Sequence, residues 1–300
     1  MNNSKYEYRI GLLGYGEAGQ SIAKSLIKKF KIKITAYDKN YKKLKTNKKT
    51  LIKFAKNPKE LANNSNIIVS VVTADQSFIA AKSIYKFLNK DHIFLDGNSV
   101  SPGTKKKTQK INKKINYIDM AIMAPINPNG HQTKILVSGK NQKKINQFLR
   151  KYKFNYQWRG KEVGNSAVVK MLRSIMIKGT EALLTEAVTA ANKIGLEDKI
   201  LKSAEKTLNM KNITGLADYF MERCALHGLR RADEMNEVVK TLKELKSLNF
   251  MASAIAKHQK EIGMMNLNKF FKNKIPQNRK IIAKSIQKNY LKGQGNLNKC

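Results

Sequence analysis

Cysteine is nearly absent: Cys224 and Cys300 stand alone, with no CxxC pair. That excludes a disulfide framework and a thiolate metal centre as the basis of the fold. The four histidines show no ligand spacing, so no metal is expected. Long apolar runs are missing too. The longest, such as Ile67–Val72, have the length of a strand and fall far short of a membrane span. The opening residues, Met-Asn-Asn-Ser-Lys-Tyr-Glu-Tyr, lack the apolar stretch of a signal peptide, and the expectation is a cytoplasmic protein. Acidic residues are scarce, 21 against 59 lysines and arginines, for a net charge of +38.

So basic a chain invites a nucleic acid or an acidic membrane as its partner. The excess, however, is lysine rather than arginine, and it travels with abundant asparagine and isoleucine. The lysines are spread along the chain, as on the helical face expected over Lys39–Lys49, and are not interleaved with aromatics as a single-strand groove requires. The reading is compositional bias, with no specific nucleic acid and no membrane partner. Such a field still steers small anions toward the protein.

What is present is a glycine pattern in a telling context. A short apolar strand over 8–13 runs into Gly14-Tyr15-Gly16-Glu17-Ala18-Gly19, and the apolar residues resume at helical spacing through Ile22, Ala23 and Leu26. A second strand over 32–37 ends on Asp38. This is the βαβ dinucleotide fingerprint. Gly14 permits the tight turn, Gly16 the approach of a pyrophosphate, and Gly19 close packing of helix on strand. Tyr15, Glu17 and Ala18 fall in the loop against the cofactor. A helix N-terminus favours the phosphates, and Asp38 stands where a carboxylate accepts hydrogen bonds from the adenosine ribose.

The first half continues this alternation, with strands expected over 67–72, 92–96, 116–121 and 134–138 and helices over 18–29, 39–49, 76–89, 102–113 and 141–151. It predicts an α/β Rossmann domain, residues 1–162, with a mainly parallel sheet covered on both faces. From 163 to 300 the pattern is all helical, over 165–195, 197–208, 213–226, 229–246 and 249–263, with a basic, partly frayed segment from about 266.

Five further pieces carry candidate chemistry. Val72, Thr73 and Ala74 follow an apolar strand, at the sheet edge where ligands lie in open α/β folds. Asn98 and Ser99 follow the next strand and suit a nicotinamide ribose or a substrate carboxylate, while Ser101-Pro102 also reads as a helix N-cap and first turn. Asp119–Pro125, with Met123 and Ala124, is a third strand end. Lys170 and Ser174 share a face of the helix after Gly164. Lys170 stands among Ala167, Val168, Val169, Met171 and Leu172, and a partly buried ammonium has a lowered pKa suited to proton transfer. Last, Arg230 and Arg231 are anion clamps or partners of Asp233 and Glu234 in a helix.

In this order the motifs resemble the β-hydroxyacid dehydrogenases, the group that includes 3-hydroxyisobutyrate and 6-phosphogluconate dehydrogenases. Within it the chain looks most like the branch with a distinct C-terminal domain of unknown function, over about residues 8–263. The resemblance places the family's catalytic lysine on Lys170 and its substrate loop on Asp119–Pro125. Two departures are Ser174, where the family has Asn, and Met123-Ala124-Pro125, where it has Ser-Gly-Gly. The family's later Lys-Asp pair is absent, and the His227–Met235 segment fills that place. The resemblance implies hydride transfer between NAD or NADP and a small hydroxy acid. Lys170 would serve as general acid/base, Ser99, Met123, Ala124, Ser174, Arg230 and Arg231 would hold the anionic substrate, and the protein would be a homodimer. Asp38 favours NAD; Lys39, Lys42 and Lys43 soften that preference. A reductase of imines or other carbonyl analogues on the same scaffold is the alternative, and a non-enzymatic nucleic-acid binder a more distant one.

Overall fold

The computed structural model describes residues 8–40, 51–208, 213–244, 246–272 and 274–297. By internal contacts the chain divides into two compact units, Met1–Met176 and Ile177–Cys300.

The first unit is built on an eight-stranded sheet of order β3-β2-β1-β4-β5-β6-β7-β8. Its strands are β1 (Ile10–Leu13), β2 (Ile34–Tyr37), β3 (Ile52–Phe54), β4 (Ile67–Ser70), β5 (Ile93–Asp96), β6 (Asn116–Ile122), β7 (Ile135–Gly139) and β8 (Tyr156–Trp158). Neighbours are parallel from β3 through β6, β7 turns antiparallel to β6, and β8 runs parallel to β7. Every residue of β1, β4 and β5 is buried, which is why these strands read as unbroken apolar runs. Helices cover both faces. On one, α1 (Glu17–Phe30) and α5 (Gln142–Lys151) set Ile22, Leu26, Phe148 and Leu149 on Leu12, Val69 and Leu95. On the other, α2 (Pro58–Asn63) and α3 (Ser77–Tyr85) set Leu61, Ile84 and Tyr85 on Leu13, Ile68 and Phe94. Between β1 and β4 the strand order reverses direction, and such a switch point opens a crevice at the carboxyl ends of the strands. The Rossmann expectation therefore holds. The sequence reading had missed β3, α2 and β8. β3 and β8 are three-residue edge strands without a fully buried residue, so they carry no apolar run. The helix expected over 39–49 falls almost wholly outside the described residues.

Helix α4 (Pro102–Lys110) starts as expected: the Ser101 hydroxyl accepts the Thr104 N–H at 3.1 Å, with Pro102 in the first turn. Helix α6 (Asn165–Asn192) is continuous, and the contact division falls within it.

The second unit is helical, with no strand among the described residues: α7 (Glu197–Leu208), α8 (Ile213–Glu244), α9 (Phe250–Met264), α10 (Leu267–Phe270) and α11 (Arg279–Leu297) follow. The two helices expected over 213–226 and 229–246 form one element, bent where His227 leaves helical geometry at φ −126°, ψ 16°. Just beyond the bend α8 meets α9 through two glycines. A Cβ on Gly228 would lie 2.7 Å from the Gly263 Cα, and one on Gly263 would lie 2.5 Å from the Leu229 nitrogen. Asp218 anchors the start of α11, accepting the Arg279 N–H and its guanidinium at 2.8 Å. The tail expected to be partly frayed is thus helical from Arg279 to Leu297; the last three residues lie outside the described ones.

Candidate functional site

The glycine loop has the geometry its sequence demands. Gly14 adopts φ +100° and donates its N–H to the Tyr37 carbonyl at 2.8 Å, and a Cβ there would sit 2.6 Å from the Val71 carbonyl oxygen. A Cβ on Gly19 would meet the Gly14 carbonyl oxygen at 2.4 Å, so helix and loop touch through bare backbone. A Cβ on Gly16 would meet nothing within 4 Å. That side of the loop is open, at the N-terminus of α1, and a pyrophosphate fits there. Asp38, at the end of β2, braces the same loop: one carboxylate oxygen accepts the Tyr15 N–H and the other the Asn40 N–H, each at 2.9 Å. Each oxygen keeps a lone pair for a ribose hydroxyl. The Tyr15 ring packs edge-on against Phe54, centroids 5.0 Å apart, and burial raises its phenol pKa.

Next along the edge lie the ends of β4 and β5. Asn98 is buried, and its amide is committed within the protein. Its Oδ1 accepts the Val72 N–H at 2.7 Å, and its Nδ2 donates to the hydroxyls of Ser70 and Ser77 at 3.0 and 3.1 Å. It therefore shapes the Val72–Ala74 loop, with both of its amide protons already spent. Ser99, one residue on, is exposed. Its hydroxyl accepts a hydrogen bond from the Lys170 ammonium at 2.7 Å.

The loop after β6 is docked on α1. Asn127 donates to the Glu17 carboxylate at 3.0 Å, and the Ser25 hydroxyl lies 2.8 Å from His131 Nδ1 while accepting the His131 N–H at 2.9 Å. Gly130 has no room for a side chain against Ser25. Burial among apolar groups, with Lys29 nearby, lowers the His131 pKa to about 4. A cavity of about 440 Å³ opens where these loops converge, lined by Glu17, Val72, Thr73, Ser99, Pro125 and Lys170 among others. Ala18, Ala74, Val71, Ile122 and Ile126 complete the lining, which is as polar as it is apolar.

Lys170 projects from the second turn of α6 and is half-buried. Ser174 spends its hydroxyl proton on the Lys170 carbonyl at 2.9 Å, which keeps the two on one helical face as their spacing predicted. The first turn of α6 is fixed by Asp119, whose Oδ2 accepts the N–H groups of Gly164, Ser166 and Ala167 at 3.0–3.1 Å. Asp119 is wholly buried on β6 and stands outside the loop that carries Met123 and Ala124. Met123 is held by Arg173, which donates to its carbonyl at 3.2 Å. Arg230 and Arg231 lie on α8 in the second unit, Arg230 exposed and Arg231 half-buried.

Three contributors escaped the sequence reading: Arg173 on Met123, Asp119 as the cap of α6, and a fully buried Lys105. The i, i+3 spacing of Lys170 and Arg173 is a signal that pointed to the first. No local signal marks the others.

Comparison with known proteins bears on this site. The family described as the NAD binding domain of 6-phosphogluconate dehydrogenase matches residues 9–157, and a domain of unknown function, DUF1932, matches residues 191–262. A protein of Methanothermus fervidus, described as an uncharacterized 28.5 kDa protein in the 7S RNA 5′ region, is 32% identical over 232 residues, 77% of this chain and 90% of that one. Among solved structures, a conserved protein of unknown function described as structurally similar to 3-hydroxyacid dehydrogenases is 26% identical, covers 86% of this chain and 98% of its own, and superposes with a TM-score of 0.53. An imine reductase from Myxococcus stipitatus, in complex with NADP+, shares the fold with a TM-score of 0.67 at 17% identity, over 85% of this chain and 92% of that one.

Proposed function

The chain belongs to the oxidoreductase family that joins the NAD binding domain of 6-phosphogluconate dehydrogenase to DUF1932, and on that premise we propose that it moves a hydride between a nicotinamide and a small hydroxy acid or its keto form. The observation that carries this reading is the Lys170–Ser99 contact of 2.7 Å beside the cavity at the strand ends. The nicotinamide, when bound, supplies the hydride acceptor or donor. In the oxidative direction the neutral Lys170 amine takes the hydroxyl proton as the C–H hydride departs and the carbon becomes a carbonyl; in the reverse direction the resulting ammonium returns the proton. Ser99 holds the Lys170 amino group in place, and Ser174 ties its backbone. Ser99, Met123 and Ala124 hold the acid end of the anionic substrate. Asp38 makes NAD the preferred cofactor, because a carboxylate repels a ribose 2′-phosphate. The protein works as a cytoplasmic homodimer, a state that sedimentation at micromolar concentration tests.

A second reading has its own support. The apolar side chains of Val71, Ile122, Pro125 and Ile126, which share the lining with Glu17, Thr73, Ser99 and Lys170, suit the body of a substrate without a carboxylate, such as a cyclic imine reduced to an amine.

The test begins with NADH and NADPH titrations followed by cofactor fluorescence. A panel of hydroxy acids and imines is then assayed with wild type and Lys170→Met. The expected outcome is turnover of a hydroxy acid that falls by about two to four orders of magnitude in the variant, with cofactor affinity retained. Turnover of imines alone would favour the second reading. Near-normal hydroxy acid turnover in Lys170→Met would remove the lysine from the mechanism.

A further inference from the structure

Beneath the cavity lies a charged cluster that the reaction itself does not use. Lys105, on α4, is 1% exposed, and Asp96 and Asp119 are fully buried. The ammonium stands 2.9 Å from Asp96 Oδ1, 2.5 Å from the Asp96 carbonyl and 3.5 Å from Asp119 Oδ1. The other oxygen of Asp96 accepts the Tyr117 hydroxyl at 2.6 Å. From this centre two arms run out. Asp96 Oδ1 accepts the Asn98 N–H at 3.0 Å, and the Asn98 side chain takes the Val72 N–H at the wall of the cavity. Asp119 Oδ2 gathers the three amides that open α6, the helix of Lys170.

Burying three charges is expensive, and a well-packed apolar cluster of the same volume is commonly as stable or more so. The cluster therefore needs a reason other than stability. Two carboxylates face one ammonium, and the remaining negative charge lies against the positive end of the α6 dipole. We propose that Lys105 is a positioning residue: through Asp96 and Asp119 it locks the Val72 loop and the first turn of α6 into one arrangement, so that the cofactor and Lys170 keep a fixed separation. This rests on the proposed role of Lys170.

The test uses the full chain and NADH as probe, so it needs no substrate. In Lys105→Met the carboxylates lose the cation they share. The other titratable groups facing them, Tyr117 and Tyr85, are held protonated by burial. NADH binding should weaken by about three- to thirtyfold relative to wild type. A lowered melting temperature with wild-type NADH affinity would overturn the proposal and leave Lys105 as packing. Should Lys105→Met not fold, Asp119→Asn carries the test. Its amide oxygen still accepts the α6 amides, but the carboxylate charge facing Lys105 is gone. NADH affinity should fall by about threefold although the substitution lies on the α6 arm; unchanged affinity would break the link. Wild type without affinity for NADH or NADPH would sink the proposed function and this inference together. Equal binding by wild type and variants would sink this inference alone.

Discussion

In the first unit two carboxylates and an ammonium lie entirely out of water, whereas the Arg279–Asp218 pair of the second keeps 38% and 27% of its side-chain surface exposed. The contrast extends to how each unit brings backbone to backbone. The first does so at its ligand edge, through Gly14 and Gly19, and braces the result with Asp38, Asn98 and Asp119. The second does so in the middle of a helix crossing, through Gly228 and Gly263, with apolar neighbours. The first unit uses buried polar groups to fix positions that a ligand must find. The second uses small residues to let two helices approach.

This contrast can be broken experimentally, because Trp158 lies on β8 and is the only tryptophan in the sequence. Its fluorescence follows the first unit in a denaturant titration, while far-ultraviolet circular dichroism is dominated by the helices. The largest effect is expected from Gly14→Val, which forces a branched side chain into a positive-φ position against the Val71 carbonyl. Strain and overpacking together should cost about 3 kcal/mol, shift the Trp158 transition and abolish NADH binding. Gly263→Val should cost about 2 kcal/mol by separating α8 from α9, move the dichroism transition, and leave NADH affinity as it was. If the Trp158 transition and NADH affinity move equally in both variants, the division of labour between the units is wrong.

A third experiment sharpens the comparison with pH. His131 titrates near 4 in the folded first unit, below its ordinary 6.5. As pH falls through 6.5 the unfolded chain takes up a proton that the folded chain refuses, so stability is full above 6.5 and drains away toward 4. The Trp158 transition should weaken across that window, and His131→Phe should flatten the slope. A slope unchanged by the substitution would assign it to carboxylates instead. The smallest effect is expected from Arg279→Ala, about 0.5 kcal/mol, visible in the dichroism transition alone.

Much of this was legible in the chain because it is local. The glycine run needs only a strand before it and a helix after it, and Ser101-Pro102 announces a helix start by itself. Lys170 and Ser174 fall on one face by arithmetic. What stayed hidden depends on partners far away in sequence. Asp119 reads as the end of a strand leading into a loop, yet its carboxylate caps a helix 45 residues later. Asn98 reads as a ligand group beside Ser99, but the strand before it turns its amide inward to Val72. β3 and β8 are too short and too exposed to leave a pattern. Lys105 is the extreme case: in Lys105-Lys106-Lys107 the first is buried and the next two are exposed. Composition says the same of all three, and only the meeting of β5, β6 and α4 tells them apart.

That seclusion gives the molecule a built-in gauge. An acylating reagent would coat the many surface amines of this lysine-rich chain and pass Lys105 by, since its nitrogen is closed off from solvent. The residue would become labelled only at the frequency with which the sheet parts from α4. Counting that one modification by mass spectrometry, with and without nicotinamide, would clock how often the floor of the cavity opens.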